Sequence, residues 1–322
     1  MLFQNIPGTD LNPSVVCLGS DWFGSSRDEA TAFALLDAFF EGGGNFVDTA
    51  LVYGEWVPDG KGLSEKTLGK WLKTRSNRSQ IIIGTKGAHP RLDTMTVQRL
   101  SKEDIVSDLD NSLHNLGTDT IDLYYLHRDD PNRSVGEIIT TLNEQVRAGK
   151  IRYFGCSNWR LDRLIAAQQF AAAHKLQPFS ANQIMWSLAV PNREAFFDPN
   201  MVAMDAPLKA YHQESGLAAV AYTSQARGFF SRLERSGVEG LPGSLRELFI
   251  NDTNLAIFPR LKEVAQETGL SVGEIALAYI FSQPFAAFAI AGCSTQAQLA
   301  EILRAGEVRL DASLFARLDG SA

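Results

Sequence analysis

The sequence has little cysteine, a deficit of positive charge and no long unbroken apolar run. Its three cysteines, Cys17, Cys156 and Cys293, are an odd number, far apart and without metal-ligand spacing. They exclude a disulfide framework and fit a reducing compartment. Lysine and arginine number 30 against 37 aspartate and glutamate, a net charge of −7. With a pI near 5.3, no basic surplus is available to neutralise phosphates, which argues against a dedicated nucleic-acid binder. The five histidines, His89, His114, His127, His174 and His212, show no zinc spacing, and no metal site is expected. The stretch from Ile275 to Ala300 carries no charge, but Gln283–Pro284 splits it and Ser282, Ser294, Thr295, Gln296 and Gln298 make it too polar for lipid. It reads as a buried helix, a break and a short buried strand, with no membrane span. No basic segment leads into an apolar one at the N-terminus, which predicts no secretory leader and a cytoplasmic protein.

What is present is the composition of a globular enzyme-sized chain: 322 residues, 45% hydrophobic and 21% charged. Short apolar runs alternate with amphipathic segments. The runs are Val15–Leu18, Asn45–Val47, Ile81–Gly84, Ile121–Leu126, Ile151–Gly155, Phe179–Ile184, Leu217–Ala221 and Ala287–Ile290. Their length and continuity suit strands buried on both faces. Helical spacing marks Asp28–Glu41, Ser64–Leu72, Ser101–Leu116, Val135–Ala148, Arg160–His174, Phe258–Gly269, Val272–Ser282 and Gln296–Ala305. Ser101 and Asp104 predict a capping box with the acid one carbon short. Gly149 predicts a helix end.

Eight strands alternating with helices predict a single α/β (β/α)₈ TIM barrel over residues 1–322. A doubly wound sheet would need glycines directly after the first strand and opening a helix. The cluster Gly42-Gly43-Gly44 instead follows a helix and precedes a strand, which suits a helix C-cap.

A barrel gathers chemistry at the C-terminal ends of its strands. Asp48 ends the second run, with Tyr53 five residues on; Lys86 ends the third and His127 the fourth. Charged side chains beside buried strands need partners, so Asp48 and Lys86 are expected to pair. Reducing a carbonyl requires a proton at its oxygen as hydride reaches its carbon. A phenol titrates near pH 10, and an adjacent ammonium is expected to lower the value for Tyr53. His127 is placed to orient the carbonyl and steady the developing alkoxide. Other motifs carry less. His127-Arg128-Asp129 echoes a kinase catalytic loop, but Ser134 stands where Asn is required. There is no G-x-S-x-G elbow for a serine hydrolase, and a barrel hydrolase would need metal ligands that are lacking.

These residues lie within IPGTDL, NFVDTALVYG, GLSEKTLGKWL, IIIGTK, LGTDTIDLYYLHRDD, GKIRYFGCSN, NQIMWS and AGCSTQAQL. In that order, across nearly the whole chain, the sequence resembles the aldo-keto reductases. The resemblance implies an NAD(P)-dependent oxidoreductase on a barrel whose bottom is closed by an N-terminal β-hairpin. It gives catalytic roles to Asp48, Tyr53, Lys86 and His127. It implies dinucleotide contacts from Gly19, Ser20, Ser157, Asn158 and Gln183, with Tyr222 stacking on the nicotinamide. The positions after that tyrosine are Thr223, Ser224 and Gln225 where Ser-Pro-Leu is usual, and Asp21 is an unusual acid at the first strand end. After the last strand, Gly292, Cys293, Ser294, Thr295 and Gln298 replace the Lys or Arg that many relatives use for the 2′-phosphate of NADP. Arg227 or Arg304 is left to compensate, and NAD is expected to be used at least comparably to NADP.

Trp22, Trp56, His89, Arg128, Asp129, Trp159 and Trp186 are expected to form the substrate rim. Aromatic planes mixed with polar groups favour a sugar, polyol or hydroxylated carbonyl. The glycine-rich segment from Ser224 to Asn254 exceeds ordinary loop length and is expected to act as a flap over the cofactor. The partners implied are a small-molecule substrate, with no nucleic acid and no membrane, and room for a homo-oligomer. The competing reading is a non-catalytic nucleotide-binding barrel like those associated with potassium channels.

Overall fold

A computed structural model describes residues 1–320; the last two residues of the expected 1–322 span lie outside the described residues. The chain runs β1 (Val16–Gly19), α1 (Glu29–Glu41), β2 (Phe46–Asp48), α2 (Leu63–Arg75), β3 (Ile82–Gly87), α3 (Lys102–Leu116), β4 (Ile121–Leu126), α4 (Val135–Arg147), β5 (Ile151–Ser157) and α5 (Leu161–Ala173). It continues β6 (Ala181–Met185), α6 (Ala206–Ser215), β7 (Ala218–Tyr222), α7 (Phe229–Ser236), α8 (Gly243–Phe249), α9 (Asp252–Thr268), α10 (Val272–Phe281), β8 (Ala287–Ala291), α11 (Gln296–Ala305) and α12 (Ala312–Asp319). The eight strands are parallel and close in chain order, with Val16 of β1 opposite Ala289 of β8. This is the (β/α)₈ barrel that the alternation predicts.

Two apolar layers result from the period-two alternation of side chains along each strand. Cys17, Phe46, Leu123, Tyr125, Val220 and Phe288 fill the barrel, while Val16, Leu18, Val47, Ile83, Tyr124 and Phe154 face the helices. The fit inside is close: a Cβ on Gly155 would lie 2.8 Å from the Tyr125 ring and 2.5 Å from the Ala181 carbonyl oxygen. Below, residues 2–15 fold back antiparallel, with Ile6 N–H donating to Leu11 O and Gln4 N–H to Pro13 O. Ile6 and Leu11 join the interior cluster and stop the barrel's lower end.

Local chemistry explains most helix ends. Asp28 caps α1 by accepting from Thr31 N–H, and Gly43 beyond its end adopts φ +85°. At α3, Ser101 accepts from Asp104 N–H, but the Asp104 carboxylate accepts from the Ser101 hydroxyl and does not reach back to its N–H. Aspartate is too short for the reciprocal bond. The complete box occurs at α10, between Ser271 and Glu274.

The segment from Ser224 to Asn254 is not a loose flap. It holds α7 and α8, which bury Phe229, Phe230, Leu233, Leu245, Leu248 and Phe249 against the outer core. Its glycines bound helices: Gly228 (φ +75°) opens α7 and Gly237 (φ +64°) closes it.

Candidate active site

Parallel strands deliver their last residues to one end of the barrel, and there the expected residues meet. Asp48 ends β2, Lys86 lies in β3, His127 follows β4 and Tyr53 sits in the loop after β2. Lys86, 1% exposed, donates to Asp48 Oδ2 at 2.6 Å, to Thr49 O at 2.7 Å and to Tyr53 Oη at 3.0 Å. All three ammonium protons are thereby used. Asp48 receives a second bond on Oδ1 from the Gln183 amide at 2.8 Å. The His127 ring meets the Tyr53 ring edge-on, with centroids 5.9 Å apart. Its Nδ1 is buried without a partner. A neutral imidazole carries one N–H, and with that hydrogen on Nε2 the ring is a hydrogen-bond donor there.

Burial sets the proton affinities. It raises the Asp48 carboxyl above its ordinary value, against the pull of Lys86. It pulls Lys86 down, but Asp48 and Tyr53 outweigh it and hold the ammonium above the usual lysine value. The expected lowering of Tyr53 is not what results. Burial raises the phenol, Asp48 and Asp21 push the same way, and Lys86 only partly offsets them. Taking the hydroxyl out of water disfavours phenolate more than one neighbouring ammonium favours it. Tyr53 therefore stays protonated at neutral pH, the form that can give a proton. Burial, then His89, Arg128 and Lys86, holds His127 well below the ordinary histidine value and keeps it neutral.

On the β5–β8 side, Asn158 adopts φ +60° and connects three elements. Its Oδ1 accepts from Tyr222 Oη at 2.6 Å and from Val202 N–H at 3.1 Å, and its Nδ2 donates to Ser157 Oγ at 3.0 Å. After β7, Thr223, Ala226, Arg227 and Gly228 all take positive φ, and Ser224 Oγ fixes the turn to Ile290 O at 2.6 Å. After β8, Gly292 is exposed, and Gln298 accepts from Ser294 N–H at 2.7 Å at the start of α11. A family model described as the aldo/keto reductase family matches residues 15–322.

The chain belongs to the aldo/keto reductase family. Members are NAD(P)H-dependent oxidoreductases that act on carbonyls. It is 31% identical to norsolorinic acid reductase of Emericella nidulans over 91% of this chain and 74% of that protein. It is 30% identical to the uncharacterized oxidoreductase YrpG of Bacillus subtilis, over 99% of this chain and 95% of that protein. A Saccharomyces cerevisiae protein named as a probable aryl-alcohol dehydrogenase is 30% identical, over 88% of this chain and 85% of that protein.

Several expected contact residues of this aldo/keto reductase are committed elsewhere. Ser20 is fully buried; its hydroxyl donates to Asp48 O at 2.9 Å and joins Ser64 and Thr49 in fixing the ends of β1 and β2. Trp159 is 0% exposed, packs edge-on against Phe179 and donates from Nε1 to Arg128 O, so it lies beneath the rim. Trp186 stacks on Phe285 behind the barrel wall. Arg128 and Asp129 are polar and near the mouth, yet each is neutralised: Arg128 pairs with Asp198 at 2.8 Å and Asp129 with Arg163 at 2.9 Å. Arg304, in the last turn of α11, is held by Glu274 at 2.6 Å. Arg227 is exposed in the turn after β7. Cys293 turns its thiol inward, where burial raises it to about 11.

The residue missed from sequence is Arg27. It follows β1, and its Nε donates to Cys293 O at 2.8 Å while an Nη bonds Ser294 Oγ. No carboxylate among the described residues lies within ion-pair distance of it, although the Asp21 carboxyl is close enough for its charge to act on it. Nothing local marks it; the signal is topological, because a closed barrel sets the loop after the first strand beside the loop after the last. The aromatic rim narrows to Trp22 and Trp56, with centroids 5.2 Å apart and Trp56 6.2 Å from Tyr53. A cavity of about 710 Å³ opens between the loops after β2 and β3 and the start of α3; it reaches Lys86 and His89, but Tyr53, His127, Trp22 and Trp56 do not line it.

Proposed function

We propose that this chain interconverts a carbonyl and an alcohol, with Tyr53 exchanging the proton at the oxygen. The observation that carries the reading is the buried ammonium of Lys86 bonded at once to Asp48 and Tyr53. The dinucleotide supplies hydride when bound. Asn158, Ser157, Gln183 and Tyr222 are the groups that would hold its nicotinamide end. The spare N–H groups of Arg27 and the open backbone at Gly292 suit its phosphates. Tyr53 gives its proton to the carbonyl oxygen, and Lys86 stabilises the phenolate left behind. Asp48 keeps Lys86 charged and in place. His127, neutral, donates from Nε2 to the same oxygen and orients it.

Arg27 alters the expected cofactor balance. It provides the one cation beside Ser294 that residues 292–298 lack, so NADP(H) is read as the favoured form with NAD(H) tolerated. The substrate reading shifts as well. The sugar or polyol class depends on a polar rim, but Arg128 and Asp129 are occupied and the open walls are Trp22 and Trp56, each just over 40% exposed. Such walls support a flat aromatic carbonyl. The name of one relative, a probable aryl-alcohol dehydrogenase, points the same way.

The test follows NAD(P)H absorbance with aliphatic, sugar and aromatic aldehydes, comparing wild type with Tyr53→Phe. The expected result is turnover strongest with aromatic aldehydes and a loss of about 10²–10⁴ in kcat on removing the hydroxyl. Unchanged turnover in Tyr53→Phe would sink the assignment. Dinucleotide binding without turnover of any carbonyl would favour the regulatory barrel.

A further inference from the structure

His89 stands next to the quartet with a fixed polarity that the proposed chemistry does not use. Its Nδ1 lies 2.6 Å from the Pro90 carbonyl oxygen, which can only accept, so the ring hydrogen is on Nδ1. In the neutral ring Nε2 is therefore a bare acceptor. That nitrogen has no protein partner among the described residues and is not sealed from the cavity that His89 lines. The ring meets His127 at 67° with centroids 4.6 Å apart. Two adjacent imidazoles thus offer opposite polarities: a donor at His127 Nε2 and an acceptor at His89 Nε2.

We infer that His89 selects carbonyl substrates carrying a hydroxyl beside the carbonyl, on the neighbouring carbon or ortho on an aromatic ring. This rests on the carbonyl-reducing role proposed for Tyr53. With the carbonyl oxygen held by Tyr53 and His127, a hydroxyl on a carbon one or two bonds from the carbonyl carbon falls within reach of the second ring, whose centroid is 4.6 Å from that of His127. A hydroxyl there donates to His89 Nε2. A methoxy group or second carbonyl presents only lone pairs to a lone pair, and an unsubstituted ring leaves the nitrogen without a protein or substrate partner. Burial, reinforced by Arg128, lowers His89 to about 4. The acceptor therefore persists at neutral pH and does not become a donor.

The experiment compares ortho-hydroxybenzaldehyde, ortho-methoxybenzaldehyde and benzaldehyde with NADPH, below the titration range of the phenol. Wild type, His89→Gln and His89→Phe are each measured for kcat/KM and for substrate binding through quenching of tryptophan fluorescence. Wild type is expected to favour the hydroxyl over the methoxy compound by about tenfold or more. In His89→Phe that ratio falls toward one, and in His89→Gln, whose amide oxygen can still accept, it is partly kept. A wild-type ratio at or below one overturns the inference without any variant, as does an equal preference in wild type and a folded His89→Phe. A hydroxyl preference in binding with no turnover of any aldehyde leaves His89 as the selector and removes only the reductase reading. No binding of any of the three overturns both.

Discussion

Replacing Lys86 with methionine separates what the buried ion pair does for folding from what it does for chemistry. Lys86 and Asp48 are 1% and 3% exposed at their side chains and stand 2.6 Å apart. At an effective dielectric of about 20, unit charges at that distance attract by about 6 kcal/mol. Much of this only offsets the cost of taking both groups out of water. Lys86→Met leaves Asp48 buried with the Gln183 amide as its remaining side-chain donor, and breaking such a pair costs about 3–5 kcal/mol. Adding Asp48→Asn removes the stranded charge while keeping an acceptor for Gln183, so the double variant is expected to recover at least half of that loss. The single variant should also lose less at acid pH than at alkaline pH, because the isolated carboxyl can then be buried protonated. Activity follows neither trend and stays low in both variants. Thermal and urea midpoints of the three proteins, at two pH values and alongside kcat, make the measurement. A double variant no more stable than Lys86→Met refutes the reasoning, since the deficit would not come from an orphaned charge.

Arg27→Gln keeps a polar side chain but removes the charge beside Ser294. It is expected to weaken NADPH binding about tenfold, and more than NADH binding, in a fluorescence titration; equal losses would take Arg27 out of phosphate discrimination. His89 is lowered from 6.5 to about 4 by burial, with Arg128 adding to it, so the folded state disfavours its protonation. The stability this provides is complete above about pH 6.5 and is lost as pH falls toward 4, roughly 3 kcal/mol at the acid limit. Buried, neutral His127 adds in the same direction. Melting temperatures should fall across this window more steeply in wild type than in His89→Phe, and parallel curves would contradict the assignment. Gly155→Ala should destabilise the barrel through the Tyr125 ring and the Ala181 carbonyl, and a melting temperature equal to wild type would show that the interior can yield.

The strands were legible because each is a short apolar run, and at the second, third, fourth and seventh a polar residue at or just past its end sits at the mouth. All eight runs fall within a few residues of the observed strands, and the polar residues that follow them converge. Less legible were elements whose pattern is weak or masked. α6 is short and largely polar, with Pro207 at its start, and the buried phenylalanines and leucines of α7 and α8 lie among glycines that suggest a loop. Partner choice was least visible. Arg128 with Asp198 spans 70 residues and Arg27 with Ser294 spans 267. A side chain's neutralisation is decided by whichever loop the barrel sets beside it, which no local spacing encodes. The protonation of Tyr53 was misread for the same reason: a sequence names the ammonium nearby but not the depth of burial.

The ring is sealed by the ladder between β1 and β8, and Arg27 ties the loops above that seam. A polypeptide still on the ribosome, with its eighth strand inside the exit tunnel, would have Asp48, Tyr53, Lys86 and His127 already synthesised and yet no closed wall to exclude water around them. Competence for catalysis should therefore arrive all at once, near the end of translation. Two separately expressed fragments cut between α5 and β6 should each be inert and regain turnover only on mixing.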